Sequence, residues 1–201
     1  MKKLLLTLVF ATATVLPQLS VADWQVDPAG SYVGFASVKN DLIAENHSFT
    51  AVSGSISEGG EARIEIDLAS VETLIPIRNE RMQAMLFNTT EYPLATVTSE
   101  IPVAQLTSMT VGDNMTLNID LAIDLHGMAA SKTVPVKIVR SGEGAYDVSN
   151  LGPIIVHASQ FALSDGIEAL RKIAGLQSID LMVPVTFDLR LVQTGSAEEA
   201  D

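Results

Sequence analysis

Hydrophobic and polar residues alternate with a period of two along most of the chain. In residues 62–68, Ala62, Ile64, Ile66 and Leu68 fall on one face of an extended backbone and charged residues fall on the other. The same alternation runs through residues 116–125, 133–139 and 181–191. Because successive side chains of a strand point to opposite faces, these segments predict strands with one apolar and one solvated face, as antiparallel sheets have.

Weaker strand patterns, separated by turns rich in glycine and asparagine, fill the gaps between these four segments. They cover residues 31–38, 49–57, 95–103, 145–149 and 153–163. About eight strands at regular spacing predict a sandwich or a barrel, and the pattern alone does not separate the two.

Two short segments change to helical spacing. Residues 77–87 place Met82, Met85 and Leu86 on one side, and residues 167–174 repeat apolar positions at helical intervals. Asp165 is a candidate N-cap and Gly175 a candidate stop for the second helix. We expect both helices to lie over the barrel or to close its ends.

The first 22 residues have the order of a secretory signal peptide: Lys2 and Lys3, an apolar stretch from Leu4 to Leu16, and small residues ending at Ala22. The apolar stretch is shorter than the roughly 20 residues of a membrane-spanning helix. We therefore expect a barrel domain over residues 23–195, a disordered acidic tail over residues 196–201, and export to the periplasm.

Charge and composition exclude several classes of function. The chain has no cysteine, so disulfides, thiolate metal sites and cysteine nucleophiles are absent. Its formal net charge of −12 disfavours nucleic acid and anionic membrane surfaces as partners. No segment after the signal is long and apolar enough to predict a transmembrane helix. Oligomeric state stays open, with a homodimer as one alternative.

No constellation of catalytic or metal-binding residues stands out. His47, His126 and His157 are the only histidines, and their spacing matches no compact zinc motif. The sequence also has no nucleophile elbow, phosphate loop or dinucleotide fingerprint. We therefore predict no catalytic residue, no bound metal and no cofactor.

The order of several short motifs resembles one known family. The mature start combines Trp24-Gln25-Val26-Asp27 with Ser31-Tyr32-Val33-Gly34-Phe35. Further along come Phe49 to Ile56, Asp67 to Thr73, Arg78 to Met82, Leu86-Phe87-Asn88, Glu91-Tyr92-Pro93 and His126-Gly127. Across residues 24–192 this order resembles the YceI-like family of lipid- and polyisoprenoid-binding proteins.

The resemblance implies a mainly β fold, an antiparallel lipocalin-like barrel of about eight strands with two short helices. It also implies a periplasmic protein without catalytic activity whose lumen holds an isoprenoid chain. Two features depart from the family pattern: Gly30-Ser31 stands where relatives often carry a histidine, and residues 39–48 are atypical at Glu45-Asn46-His47. Both departures are expected near one barrel rim, where they bear on ligand identity.

The aliphatic strand faces and the low aromatic content of 5% favour a lumen that side chains do not fill. We predict that twelve residues on inward faces or beside the first helix contact the ligand. They are Phe35, Val52, Ile66, Met82, Met85, Phe87, Tyr92, Leu121, Ile123, Val136, Phe161 and Val185.

Three functions compete at this point. The leading hypothesis is a periplasmic carrier that holds a polyisoprenoid or isoprenoid quinone in the lumen. The alternative is an envelope stress or interaction module whose barrel is filled by its own side chains. The third is an enzyme that acts on isoprenoids.

Overall fold

The computed structural model describes residues 24–194. The predicted signal peptide and the predicted acidic tail therefore lie outside the described residues. Alternation of apolar and polar side chains sets the strands, which are β1 (Trp24–Val26), β2 (Tyr32–Lys39), β3 (Ile43–Phe49), β4 (Val52–Ile56), β5 (Glu61–Asp67), β6 (Val71–Glu72), β7 (Leu94–Glu100), β8 (Asn114–Leu125), β9 (Met128–Gly142), β10 (Ala145–Asn150), β11 (Ile154–His157) and β12 (Met182–Gln193).

Eight of these strands form a closed antiparallel ring. Hydrogen bonding follows the order β1-β4-β5-β7-β8-β9-β10-β12, and β12 pairs back with β1 through Trp24 opposite Gln193. The remaining strands prolong this ring, because β2 pairs with β12 and β3, β6 pairs with β3, and β11 pairs with β12. The predicted barrel of about eight strands is confirmed, and the sandwich alternative is wrong.

Two turns, one after β1 and one after β5, have the same pattern of aspartate and serine hydrogen bonds. Between β1 and β2, the Asp27 carboxylate accepts a hydrogen bond from the backbone N–H of Ala29, and the Ser31 hydroxyl donates to the Asp27 carbonyl. After β5, Asp67 and Ser70 repeat both bonds. Aspartate and serine favour such turns because their short side chains satisfy local backbone groups.

Within residues 24–194, three α-helices complete the fold: α1 (Pro76–Arg81), α2 (Val103–Thr107) and α3 (Ser164–Ile173). A single π-helical stretch, Met82–Phe87, continues α1, and short 3-10 turns occupy Pro28–Gly30, Leu68–Ser70 and Ala158–Phe161. α2 was not predicted. Asp165 lies in the first turn of α3, but the N-cap position is Leu163 and no side chain caps the helix.

Buried side chains form two clusters. The first gathers strand residues around one end of the barrel, where the Trp24 and Tyr146 rings meet edge to face and the Tyr146 hydroxyl donates to the carbonyl of Leu106 on α2. The second joins the π-helical stretch and α3 to the other end and includes the fully buried Phe161. α3 lies so close to the π-helical stretch that a Cβ atom at Gly166 would come within 2.6 Å of the Met85 carbonyl oxygen.

We predict that Phe161→Ala lowers the free energy of unfolding by roughly 3–5 kcal/mol, because it removes a fully buried ring and leaves a void. Urea denaturation followed by circular dichroism measures the change. Leu42→Ala is the control, since that side chain is 89% exposed and its loss should cost little. A Phe161→Ala loss as small as the control's would contradict this account of the second cluster.

Candidate functional site: an apolar lumen with a polar edge

An internal cavity of about 250 Å³ occupies the barrel lumen. Along β12 its wall includes every second residue from Val183 to Leu191, a span of roughly 27 Å at the usual rise per residue. With strands tilted as in most barrels, that span corresponds to about 20 Å of barrel axis. A small volume over such a length describes a narrow tunnel.

The tunnel wall is aliphatic and aromatic, and Ser99 supplies its only polar side chain among the described residues. Strands supply most of the wall, because their inward positions alternate with the solvated ones. Leu86 and Phe87 from the π-helical stretch and Leu163 and Ile167 from the α3 region cover the helical end. At the opposite end the wall includes Leu106 of α2.

Seven of the twelve residues predicted to bind a ligand line this tunnel: Phe35, Ile66, Phe87, Leu121, Ile123, Val136 and Val185. The strand residues among them follow the period-two pattern from which they were predicted. Their contact with a ligand stays a prediction.

The structure places the other five off the tunnel wall. Val52 is buried in the strand cluster, while Met82 and Phe161 pack in the helical cluster. Met85 is half-buried without lining the tunnel. The Tyr92 ring contacts the His126 ring in a tilted arrangement, with 4.4 Å between ring centres.

Two local changes in backbone conformation explain why most of these five residues lie off the tunnel wall. A π-helical turn is wider than an α-helical one, so the stretch after Arg81 turns Leu86 and Phe87 toward the lumen instead of the methionines. The predicted strand 153–163 ends at His157 and continues as a 3-10 turn, which carries Phe161 out of the strand alternation.

Several lining residues were not predicted from the sequence. Ile167 belongs to the helical segment predicted to lie over the barrel, and its apolar spacing was the available signal. Leu163 is the last residue of the predicted strand 153–163, which in the structure ends earlier, at His157. Phe49 was predicted as the first residue of a strand over residues 49–57, but it ends β3, which is largely polar and was not predicted.

A seam between β7 and β8 brings the lumen close to an outer groove. The two strands pair at only three positions, from Thr96 to Thr98, and beyond them the Ser99 hydroxyl donates to the Asp120 carbonyl at 2.9 Å. The groove has a volume of about 600 Å³ and shares Ala62, Ser99 and Leu121 with the tunnel wall.

At the helical end, a row of rings leads from the tunnel to a polar cluster. Phe87, Phe49 and Phe35 line the tunnel and contact one another in that order, with ring centres 5.9 and 5.4 Å apart. The next ring is His47, which lies 5.2 Å from Phe35 and is 5% exposed.

The polar cluster consists of Ser37, Lys39, Glu45, His47 and Arg78. The Glu45 carboxylate pairs with Lys39 at 2.8 Å and with Arg78 at 2.9 Å. The hydrogen bond from Lys39 lowers the pKa of Glu45, and the hydrogen bond and charge of Arg78 lower it further. Burial lowers the pKa of His47, with the Arg78 charge as the next contribution, so its imidazole is neutral at pH 7.

The described residues hold no cluster of histidines and carboxylates that could bind a metal ion. Among the helices of residues 24–194, none combines the length and hydropathy needed to cross a bilayer. The described residues therefore form an apolar tunnel with a neutral histidine at its edge.

Comparison with known proteins identifies the family. The profile of the YceI-like domain matches residues 24–191. The chain belongs to the YceI-like family. No curated protein matches the chain in sequence.

Solved structures agree with this assignment. A polyisoprenoid binding domain from Saccharophagus degradans, implicated in plant cell wall breakdown, is 35% identical, with a TM-score of 0.85 over 87% of this chain and 100% of that domain. BcnA from Burkholderia cenocepacia is 22% identical, with a TM-score of 0.64 over 82% of this chain and 98% of that one. A YceI protein from Campylobacter jejuni shares 12% identity, with a TM-score of 0.52 over 74% of this chain and 84% of that protein. The last two show the shared fold alone.

An exposed ion pair near the end of α3 adds a small stabilisation that acid should remove. Arg171 donates to both carboxylate oxygens of Glu168 and also to the Leu176 carbonyl just after α3. The hydrogen bonds that Arg171 donates to this carboxylate are the main reason that the pKa of Glu168 falls from its ordinary value of 4.5 to about 2. Since the folded-state pKa is the lower one, the pair stabilises the fold above about pH 4.5 and loses that effect as pH falls toward 2.

We therefore predict that Glu168→Gln lowers the melting temperature slightly at pH 7, and that the difference from wild type vanishes near pH 2. The effect is small because the pair is exposed. Thermal unfolding at several pH values measures it, with Glu80→Gln as a control on another exposed helical surface. A difference that persists undiminished at pH 2 would show that the ion pair is not its cause.

Proposed function

We propose that this YceI-like protein is a periplasmic carrier that holds the chain of an isoprenoid lipid in its barrel lumen. The observation that carries the proposal is the narrow tunnel, lined by apolar side chains from end to end apart from Ser99. Sites for apolar ligands are concave, mostly apolar and furnished with few polar groups, as this one is.

The shape of the tunnel favours a slim, flexible chain over a compact ligand. Burying apolar surface contributes roughly 25 cal/mol per Å², so a chain that fills the tunnel gains several kcal/mol before association costs are subtracted. The Saccharophagus degradans relative, described as a polyisoprenoid binding domain, supports an isoprenoid as that chain.

The periplasmic location rests on the N-terminal pattern of lysines, an apolar stretch and small residues ending at Ala22. If this pattern directs export, the protein recovered from the periplasm begins at Asp23. Intact-mass measurement of that fraction tests the location and the cleavage position together.

The second candidate, an envelope interaction module without a lipid, requires a lumen closed by the protein's own side chains. The tunnel is unfavourable to that candidate, because apolar side chains lose packing contacts along an unfilled space. An enzyme that acts on isoprenoids has less support, since the tunnel wall offers no charged or nucleophilic group other than the Ser99 hydroxyl.

We predict that the exported protein, purified without detergent, carries a long-chain lipid that native mass spectrometry detects and organic solvent extracts. The same spectrum reports the number of subunits. A clean extract, together with failure to take up an added polyprenol, would refute the carrier function.

A matched pair of variants locates the ligand. Val185 lines the tunnel, whereas Ile155 on the neighbouring strand is 41% exposed and lies off the tunnel wall. We expect Val185→Trp to lower lipid occupancy at least tenfold by filling the lumen, and Ile155→Trp to leave occupancy unchanged. If both variants retain the lipid equally, the lipid binds elsewhere.

A further inference from the structure

The row of rings at the helical end of the tunnel stops at a polar group. His47 lies directly opposite Phe35 in the β2–β3 pairing, and it shares its face of β3 with Phe49. Phe35 and Phe49 both line the tunnel. Because alternate residues of a strand share a face, His47 is the next inward position beyond the apolar wall.

His47 is buried with half of its hydrogen-bonding capacity unused. Its Nε2 atom lies 2.9 Å from the Ser37 hydroxyl. Its Nδ1 atom is buried and has no hydrogen-bond partner within residues 24–194. A buried polar atom without a partner is costly, so such an atom beside a ligand tunnel indicates a group that arrives with the ligand.

Arg78, in the same cluster, also has a buried nitrogen without a hydrogen-bond partner. Its Nη1 atom donates to Glu45 and its Nη2 atom to the Thr73 carbonyl, but its buried Nε–H lacks an acceptor within the described residues. Guanidinium nitrogens only donate, so the group that would satisfy this atom is a hydrogen-bond acceptor, which in a lipid of carbon, hydrogen and oxygen is an oxygen.

Lys39 and Arg78 share the single Glu45 carboxylate, so neither cation is unpaired although these three groups carry one net positive charge. The Glu72 carboxylate on β6 offsets that charge in the same region, where it accepts hydrogen bonds from Asn79 and from the backbone of Leu74. An arriving phosphate would meet the Glu45 carboxylate without finding an unpaired cation among these residues. An uncharged oxygen brings no such repulsion.

We propose that His47, positioned by Ser37 and flanked by Arg78, forms the subsite for an uncharged oxygen, a hydroxyl or carbonyl, at the polar end of the lipid. This inference rests on the proposed function, because the apolar chain is held in the tunnel. A neutral imidazole serves either kind of oxygen: its Nδ1 donates to a carbonyl in one tautomer and accepts from a hydroxyl in the other.

Three ligands of equal chain length separate the contribution of the polar end from that of the chain. They are geranylgeraniol, the matching hydrocarbon without the hydroxyl, and geranylgeranyl phosphate. Dissociation constants are measured on the mature full-length protein, stripped of lipid, by titration with native mass spectrometry. We expect the alcohol to bind roughly tenfold more tightly than the hydrocarbon, as one buried hydrogen bond predicts, and the phosphate to bind no better than the hydrocarbon.

His47→Phe is the decisive variant, since it keeps a ring beside Phe35 and removes both nitrogens. We expect it to abolish the preference for the alcohol while the affinity for the hydrocarbon stays within twofold of wild type. His157→Phe, which changes an exposed histidine, is the matched control and should keep the full preference. Ser37→Ala should lose part of the preference, because it frees the imidazole that Ser37 positions.

Circular dichroism and thermal unfolding show whether each variant folds. If His47→Phe does not fold, His47→Gln takes its place, and we expect its amide to retain part of the preference for the alcohol. Loss of the whole preference in a folded His47→Gln protein would overturn the hydrogen-bonding role.

The outcomes distinguish this inference from the function on which it rests. If no ligand binds to wild type, the carrier proposal fails. If alcohol and hydrocarbon bind equally to wild type, or if His47→Phe keeps the preference, the carrier proposal stands and the subsite is wrong. Tighter binding of the phosphate than of the alcohol would also overturn the assignment to an uncharged oxygen.

Discussion

Closure of the sheet between β1 and β12 is the constraint on which the lumen depends. Each strand in the ring pairs on both sides, which removes free edges except at the seam where β7 and β8 pair at only three positions. Closing the ring also fixes its circumference, because strand number and tilt together determine barrel width. Side chains must then fit the space that closure encloses, and here they leave a tunnel.

Chemistry inside that fixed width follows from which residues face inward. Aliphatic side chains supply most of the wall, and the rings of Phe35, Phe49 and Phe87 gather at the helical end. Different elements cover the two ends of the barrel. Leu106 and Tyr146 join through a buried hydrogen bond at one end, whereas a π-helical stretch and α3 lie over the other.

The regular strands could be predicted from sequence because local alternation and burial agree in them. Leu121, Ile123 and Val185 lie on the tunnel wall where the period-two pattern placed them. Phe161 and Met82 do not, because a 3-10 turn and a π-helical turn change the direction of their side chains. Such turns are set by tertiary packing, which the periodicity of a short segment does not record.

Strand β3 and the polar cluster could not be predicted from the sequence for a related reason. Glu45 and His47 occupy inward positions of β3, so this strand lacks the apolar alternation by which the others are predicted. The residues that match their charge and geometry, Arg78 and Ser37, come from α1 and β2 and meet them only in the folded barrel.

Polar side chains at inward positions oppose folding unless they gain partners, since burial removes their bonds to water. Most of this cluster has such partners: Glu45 has two cations, and Ser37 has His47. Apolar residues at the same positions would extend the tunnel wall without this cost, so the polar residues weaken a lumen built only for a hydrocarbon. Their arrangement beside Phe35 is reasonable for a lumen that must also fix one end of its ligand. The chain of a lipid would then supply affinity along the tunnel, and one oxygen at its end would set the direction in which the lipid lies.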